Sequence, residues 1–137
     1  LMIRQDSSGE RTEGMRVVTT QDVEDAREVV KNVYLDEKIE QYISDIVFCT
    51  RYPEKYGLKD IQDYIEFGGS PRASINLALA ARAYAFLKHR GYVIPEDVRA
   101  VAHDVLRHRI GLTYEAEANN VTCEELVSKI VNKVEVP

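Results

Sequence analysis

Gly68-Gly69-Ser70-Pro71-Arg72-Ala73-Ser74, running into the nearly unbroken apolar stretch Ile75 to Leu87, decides the fold of this chain. Two glycines allow close backbone approach, Ser70 is a good N-cap residue, and Pro71 suits a first helical position. A helix is therefore predicted from Pro71 to about His89. Lys88, His89 and Arg90 suit its negative end, and Gly91 is placed to terminate it. Ile75, Leu77, Leu79, Tyr84, Phe86, Leu87 and the intervening alanines make this helix apolar on nearly every side, which predicts a buried central element. Arg72 falls in its first turn, where the helix dipole disfavours a cation unless an anion lies nearby. The bundle thus reads as a platform for Arg72.

Outside this stretch, 137 residues with a hydrophobic fraction of 45% and a charged fraction of 30% suit one globular domain. A net charge of −5 argues against a general nucleic-acid binder. No apolar run reaches membrane-spanning length, and no signal pattern opens the chain, so no membrane partner is expected. Cys49 and Cys123 stand apart, as suits reduced thiols and a cytoplasmic setting. The chain starts with Leu1, which suggests a piece of something longer. Residues 1–18 are polar and aperiodic and read as a linker or flexible lead-in, leaving 19–137 as the domain.

Further helices follow from period and caps. Thr20 to Lys31 carries Val23, Ala26, Val29 and Val30 on one face behind a Thr20 cap. A second helix starts at Asp36 and runs to Thr50, with Ile39, Tyr42, Ile43, Ile46, Val47 and Cys49 at helical spacing. Pro95-Glu96-Asp97 opens another, ending near Arg107-His108-Arg109. Thr122 with Glu125 forms a capping box for the last. The connection Tyr52 to Phe67 is long for a compact domain and holds a short helical or extended piece from Ile61 to Phe67. Val33-Tyr34-Leu35 and Tyr92-Val93-Ile94 are β-prone and are expected to pair as a small ribbon. The fold class is mostly α, four or five helices with a minimal two-stranded β pair.

Arg72 has two readings. It pairs with Asp60, Asp63 or Glu66 of its own domain or sits in solvent, or its guanidinium forks onto a phosphate. Gly9-Glu10-Arg11-Thr12-Glu13-Gly14 has phosphate-loop glycine spacing but lacks the Lys-Ser/Thr and a preceding strand, so it is a chance match. Arg107, His108 and Arg109 either complement a helix end or contact a phosphate or an acidic neighbouring surface. His89, His103 and His108 share no metal-ligand spacing with each other or with the cysteines. The acids at Asp22 to Glu28 and Glu115 to Glu117 read as solvated faces.

From about Thr20 onward the sequence resembles the C-terminal lid subdomain of MoxR-type AAA+ ATPases. The resemblance rests on Val33-Tyr34-Leu35-Asp36-Glu37, Tyr42-Ile43 with Thr50-Arg51, Gly69-Ser70-Pro71-Arg72-Ala73-Ser74, Arg90-Gly91-Tyr92-Val93, Pro95-Glu96-Asp97-Val98 and Val105-Leu106-Arg107-His108-Arg109. It implies a helical AAA+ lid bundle in which Arg72, with Ser70 and Pro71 beside it, contacts the γ-phosphate of ATP held by a large subdomain. It further implies Mg²⁺, sister subunits of a ring and a client protein as partners. The chain departs from the pattern at Gly68-Gly69, where Gly-Ala is usual, and at Ile94, where a Thr or Ser would cap the following helix. No phosphate loop lies in the domain, so the chain alone is not expected to hydrolyse ATP. Two rivals are a stand-alone helical adaptor with no nucleotide role, and a DNA-binding module using Arg107 to Arg109, which the acidic balance disfavours.

Overall fold

The computed structural model describes residues 19–137; the expected lead-in, with the glycine pair at Gly9 and Gly14, lies outside the described residues. Helix α1 spans Thr20–Lys31 and α2 spans Glu37–Arg51. A 3-10 turn, Pro53–Tyr56, and a short α3, Lys59–Gln62, lead to strand β1, Ile65–Phe67. Helices α4, Pro71–Leu87, and α5, Pro95–Leu106, follow. Strand β2, Gly111–Leu112, a short α6, Tyr114–Ala118, and α7, Cys123–Lys133, complete the described chain. The mostly helical expectation holds, with five long helices and two short ones among the described residues.

The core forms where the helical periods put it. α2 buries Ile39, Tyr42, Ile43, Ile46 and Val47; α5 buries Val98, Ala102 and Leu106; α7 buries Leu126, Val127, Ile130 and Val131. Against them α4 presents Ala73, Leu77, Ala81 and Ala85, one residue every four, so small side chains bring the helices close. The expectation that α4 is buried all round is corrected here. Ile75 is 61% exposed and Leu87 71% exposed, and Leu79 also faces outward. α4 packs against α1, α2 and α5, yet only the Ala73–Leu77–Ala81–Ala85 stripe is fully covered. α1 packs against α4 but buries no residue fully; Ala26 and Val30 are half-covered while Val23 and Val29 are exposed.

Caps explain most boundaries. Thr19, one residue before the expected Thr20, caps α1: its hydroxyl accepts from the Asp22 N–H at 3.1 Å and the Asp22 carboxylate accepts from the Thr19 N–H at 3.0 Å. Thr122 and Glu125 close the box expected for α7. α4 does not end at Gly91. His89 takes the left-handed conformation (φ 61°), the His89 N–H donates to Phe86 O at 2.9 Å, and the Arg90 N–H donates to Ala85 O at 2.9 Å. That is a Schellman ending built on a histidine.

The β pair also differs from expectation. Val33-Tyr34-Leu35 and Tyr92-Val93-Ile94 meet at one parallel bridge, Tyr34 with Tyr92. The two-stranded sheet is instead antiparallel β1 with β2, Ile65 opposite Leu112. It ties the long connection after α2 to the segment after α5, and leads the chain from β1 straight into the Gly68–Arg72 turn.

Candidate functional site

The end of α2 sets the geometry. Thr50 is fully buried, and its hydroxyl donates to Val47 O at 2.6 Å while accepting the Gly69 N–H at 2.8 Å. That hydroxyl therefore pins the incoming loop. At Gly68 the backbones approach so closely that a Cβ would stand 2.6 Å from the Thr50 carbonyl carbon and 2.7 Å from the Arg51 nitrogen. Only glycine fits there. Ser70 occupies the N-cap position of α4 in extended backbone (φ −81°, ψ 170°), but its hydroxyl forms no capping bond, contrary to its expected use. Pro71 supplies the first helical residue and Arg72 the second.

Arg72 is exposed, and it makes no ion pair with a described carboxylate. Of the three acids that could have neutralised it, Asp60 is held by Lys129 at 3.0 Å. The Lys129 hydrogen bond keeps the Asp60 carboxyl below its ordinary range. Asp63 and Glu66 are exposed and form no ion pair with Arg72. Immediately before Arg72 lies a cleft of about 410 Å³ walled by Arg51, Tyr52, Phe67 and the turn from Gly68 to Pro71. Tyr52 packs against Phe48 with ring centroids 4.8 Å apart and the rings tilted by 43°, which steadies the outer wall. Ser70 and Pro71 belong to the wall; Arg72 is the next residue in sequence and does not itself line the cleft.

The triplet Arg107-His108-Arg109 lies elsewhere, and none of its members lines this cleft. Arg107 reaches Glu124 at 2.6 Å and Asp104 at 3.3 Å, joining the end of α5 to the first turn of α7. Its hydrogen bond to Glu124 raises the guanidinium above its ordinary range and lowers Glu124. Arg107 is thus committed within the domain, leaving exposed His108 and half-covered Arg109 as the outward members.

Sequence reasoning missed two features. The sequence marks Arg51 only as a motif end and Tyr52 as the start of a loop; the available signal is their adjacency to Thr50, a polar residue at a core position of α2. That reasoning also missed that Arg90 and Asp97 form one clasp. Arg90 donates two bonds to the fully buried Asp97 carboxylate, at 2.6 and 2.7 Å, and that carboxylate also accepts the Ile94 N–H at 2.9 Å. Ile94 cannot cap α5 with its side chain, but Asp97 supplies the returning half of a capping box. Among the described residues no His, Cys, Asp and Glu cluster could hold a metal, and no helix is long and apolar enough to cross a membrane.

Comparison with known proteins agrees with this architecture. Residues 58–130 match the AAA lid domain family. The chain is similar to Chaperone MoxR1 of Mycobacterium tuberculosis, 38% identical over 122 residues, 89% of this chain and 32% of that protein. Protein MoxR of Paracoccus denitrificans is 40% identical over 79 residues, 55% of this chain and 23% of that protein. A crystal structure of a Cytophaga hutchinsonii protein assigned as an ATPase superposes with a TM-score of 0.86 at 39% identity, covering 94% of this chain and 40% of that one. The chain spans about a third or less of the length of these curated relatives.

Proposed function

Because the chain belongs to the AAA lid domain family, and to its MoxR type, we propose that it is the nucleotide-sensing lid of an ATP-driven remodelling chaperone. Arg72 is the sensor, and it contacts the γ-phosphate of ATP held by a large subdomain of the same polypeptide. One observation carries this reading: Arg72 stands exposed at the start of α4 without a described carboxylate partner, although Asp60, Asp63 and Glu66 lie in the preceding connection. A guanidinium keeps its charge at any working pH and matches a phosphate bidentately.

The residues present suit one side of a nucleotide and no more. Arg72 offers a fixed cation and Ser70 a hydroxyl not engaged in capping, whereas no phosphate loop lies among the described residues. ATP with Mg²⁺ supplies the phosphoryl group and neutralises the charge developed in its transfer. Arg72 prefers a triphosphate to a diphosphate by its contact with the third phosphate. That differential contact sets how strongly the lid is held in one orientation before hydrolysis and released after it. Sister subunits of a ring and a client protein receive the motion.

The test is Arg72→Ala in the full-length protein. ATP turnover should fall about a hundredfold, the scale of removing a charge-stabilising donor from a reacting centre. Near-normal turnover would reject the sensor assignment.

A further inference from the structure

We propose that Arg51 is a second phosphate-binding residue, set beside the Arg72 turn by the junction of α2 with α4, so that the lid meets a nucleotide with two guanidinium groups, one from the end of α2 and one from the start of α4. The inference rests on the reading of Arg72 above. Arg51 lines the cleft, is exposed, and makes no hydrogen bond or ion pair with another described side chain. Its guanidinium carbon lies 5.7 Å from the Tyr52 ring centroid, a contact that engages none of its N–H groups in a hydrogen bond.

A cation at a helix C-terminus has an ordinary reason to be there, since it complements the dipole. Two observations go beyond that reason. Its backbone is fixed by the same junction that fixes the Arg72 turn: Thr50 bonds Gly69, and Gly68 lies against the Arg51 nitrogen. The cleft it enters has no carboxylate in its wall, so an anion there meets positive charge and no opposing negative side chain. Tyr52 and Phe67 share the cleft wall with Arg51, and exposed Phe67 offers aromatic surface suited to the nucleoside end of the ligand. Arg51 therefore meets a phosphate near the nucleoside, one that ADP and ATP share, while Arg72 meets the terminal phosphate that only ATP has.

The assignment separates the two arginines by experiment. In the full-length protein with Mg²⁺, dissociation constants are measured for ADP and for a non-hydrolysable ATP analogue, with the melting temperature of each nucleotide-free variant. Arg51→Ala should weaken both nucleotides about tenfold, the scale of one charge-assisted hydrogen bond, with an unchanged melting temperature. Arg72→Ala should weaken only the ATP analogue. Arg51→Lys, which keeps the helix-end charge but not the fork, should remain weaker than wild type for both. Unchanged affinities in Arg51→Ala, or full recovery in Arg51→Lys, would overturn the proposal and leave Arg51 a helix-end cation. Wild-type protein that binds neither nucleotide would overturn both readings, whereas an Arg72→Ala variant that keeps the wild-type affinity for the ATP analogue would overturn the sensor assignment and, with it, the division of phosphates between the two arginines.

Discussion

The two ends of α4 each carry an arginine, and the two are treated in opposite ways. Beyond the C-terminal end, Arg90 turns back through the His89 reversal and is locked bidentately onto buried Asp97. At the N-terminal end, Arg72 has an equally fixed backbone but no described carboxylate to meet. Charge satisfied inside a domain holds the domain together; charge on a fixed backbone with no partner among the described residues is available to something outside it. The residue type is the same, so the surroundings decide the role.

The contrast can be broken at either end. Asp97→Ala should cost the most, about 3 kcal/mol in urea unfolding, because it strips a buried charge partner from Arg90 and an acceptor from the Ile94 N–H. A loss under 0.5 kcal/mol would show that the clasp is not structural. Gly68→Ala should cost about 2 kcal/mol, because its Cβ would meet the Thr50 and Arg51 backbone, which cannot rotate away. The same change should displace the Arg72 turn and lower nucleotide affinity.

Cys49 sharpens the picture of the α2 wall. Burial pushes its thiol up to about 12 from an ordinary 9.0. The unfolded thiol ionises first, so the contribution is intact below pH 9 and is lost as pH rises from there towards the folded value. The decline from this thiol should reach about 1.4 kcal/mol by pH 10 and be smaller in Cys49→Ala, where Cys123 and Tyr56, both also pushed up by burial, still contribute. Arg72→Ala should move stability least, by under about 0.5 kcal/mol, since no described side chain depends on it. A larger drop would place Arg72 beside Arg90 as a structural residue.

Much of this was legible in the residues. Pro71 and Pro95 mark two helix starts, the Thr122–Glu125 box marks a third, and the core faces of α2, α5 and α7 follow their periods. What could not be read depends on contacts far apart in sequence. The β1–β2 pair joins a three-residue and a two-residue strand some forty-five positions apart, with no hairpin turn to announce it. The more β-prone runs at Tyr34 and Tyr92 make only one bridge, because packing and not propensity sets pairing. Gly91 looked like the helix terminator, yet the reversal falls at His89, the position that sends Arg90 towards Asp97. Arg51 was silent as a site residue for the same reason: its neighbours in the cleft come from β1 and the α4 turn.

The bond from Thr50 to Gly69 has a mechanical consequence. A tug on Arg72 does not stretch a slack tether; it loads the last turn of one helix and the first turn of another at the same moment. A displacement at the Arg72 turn is therefore shared with the end of α2, because the two are joined by one buried hydrogen bond and a close backbone contact.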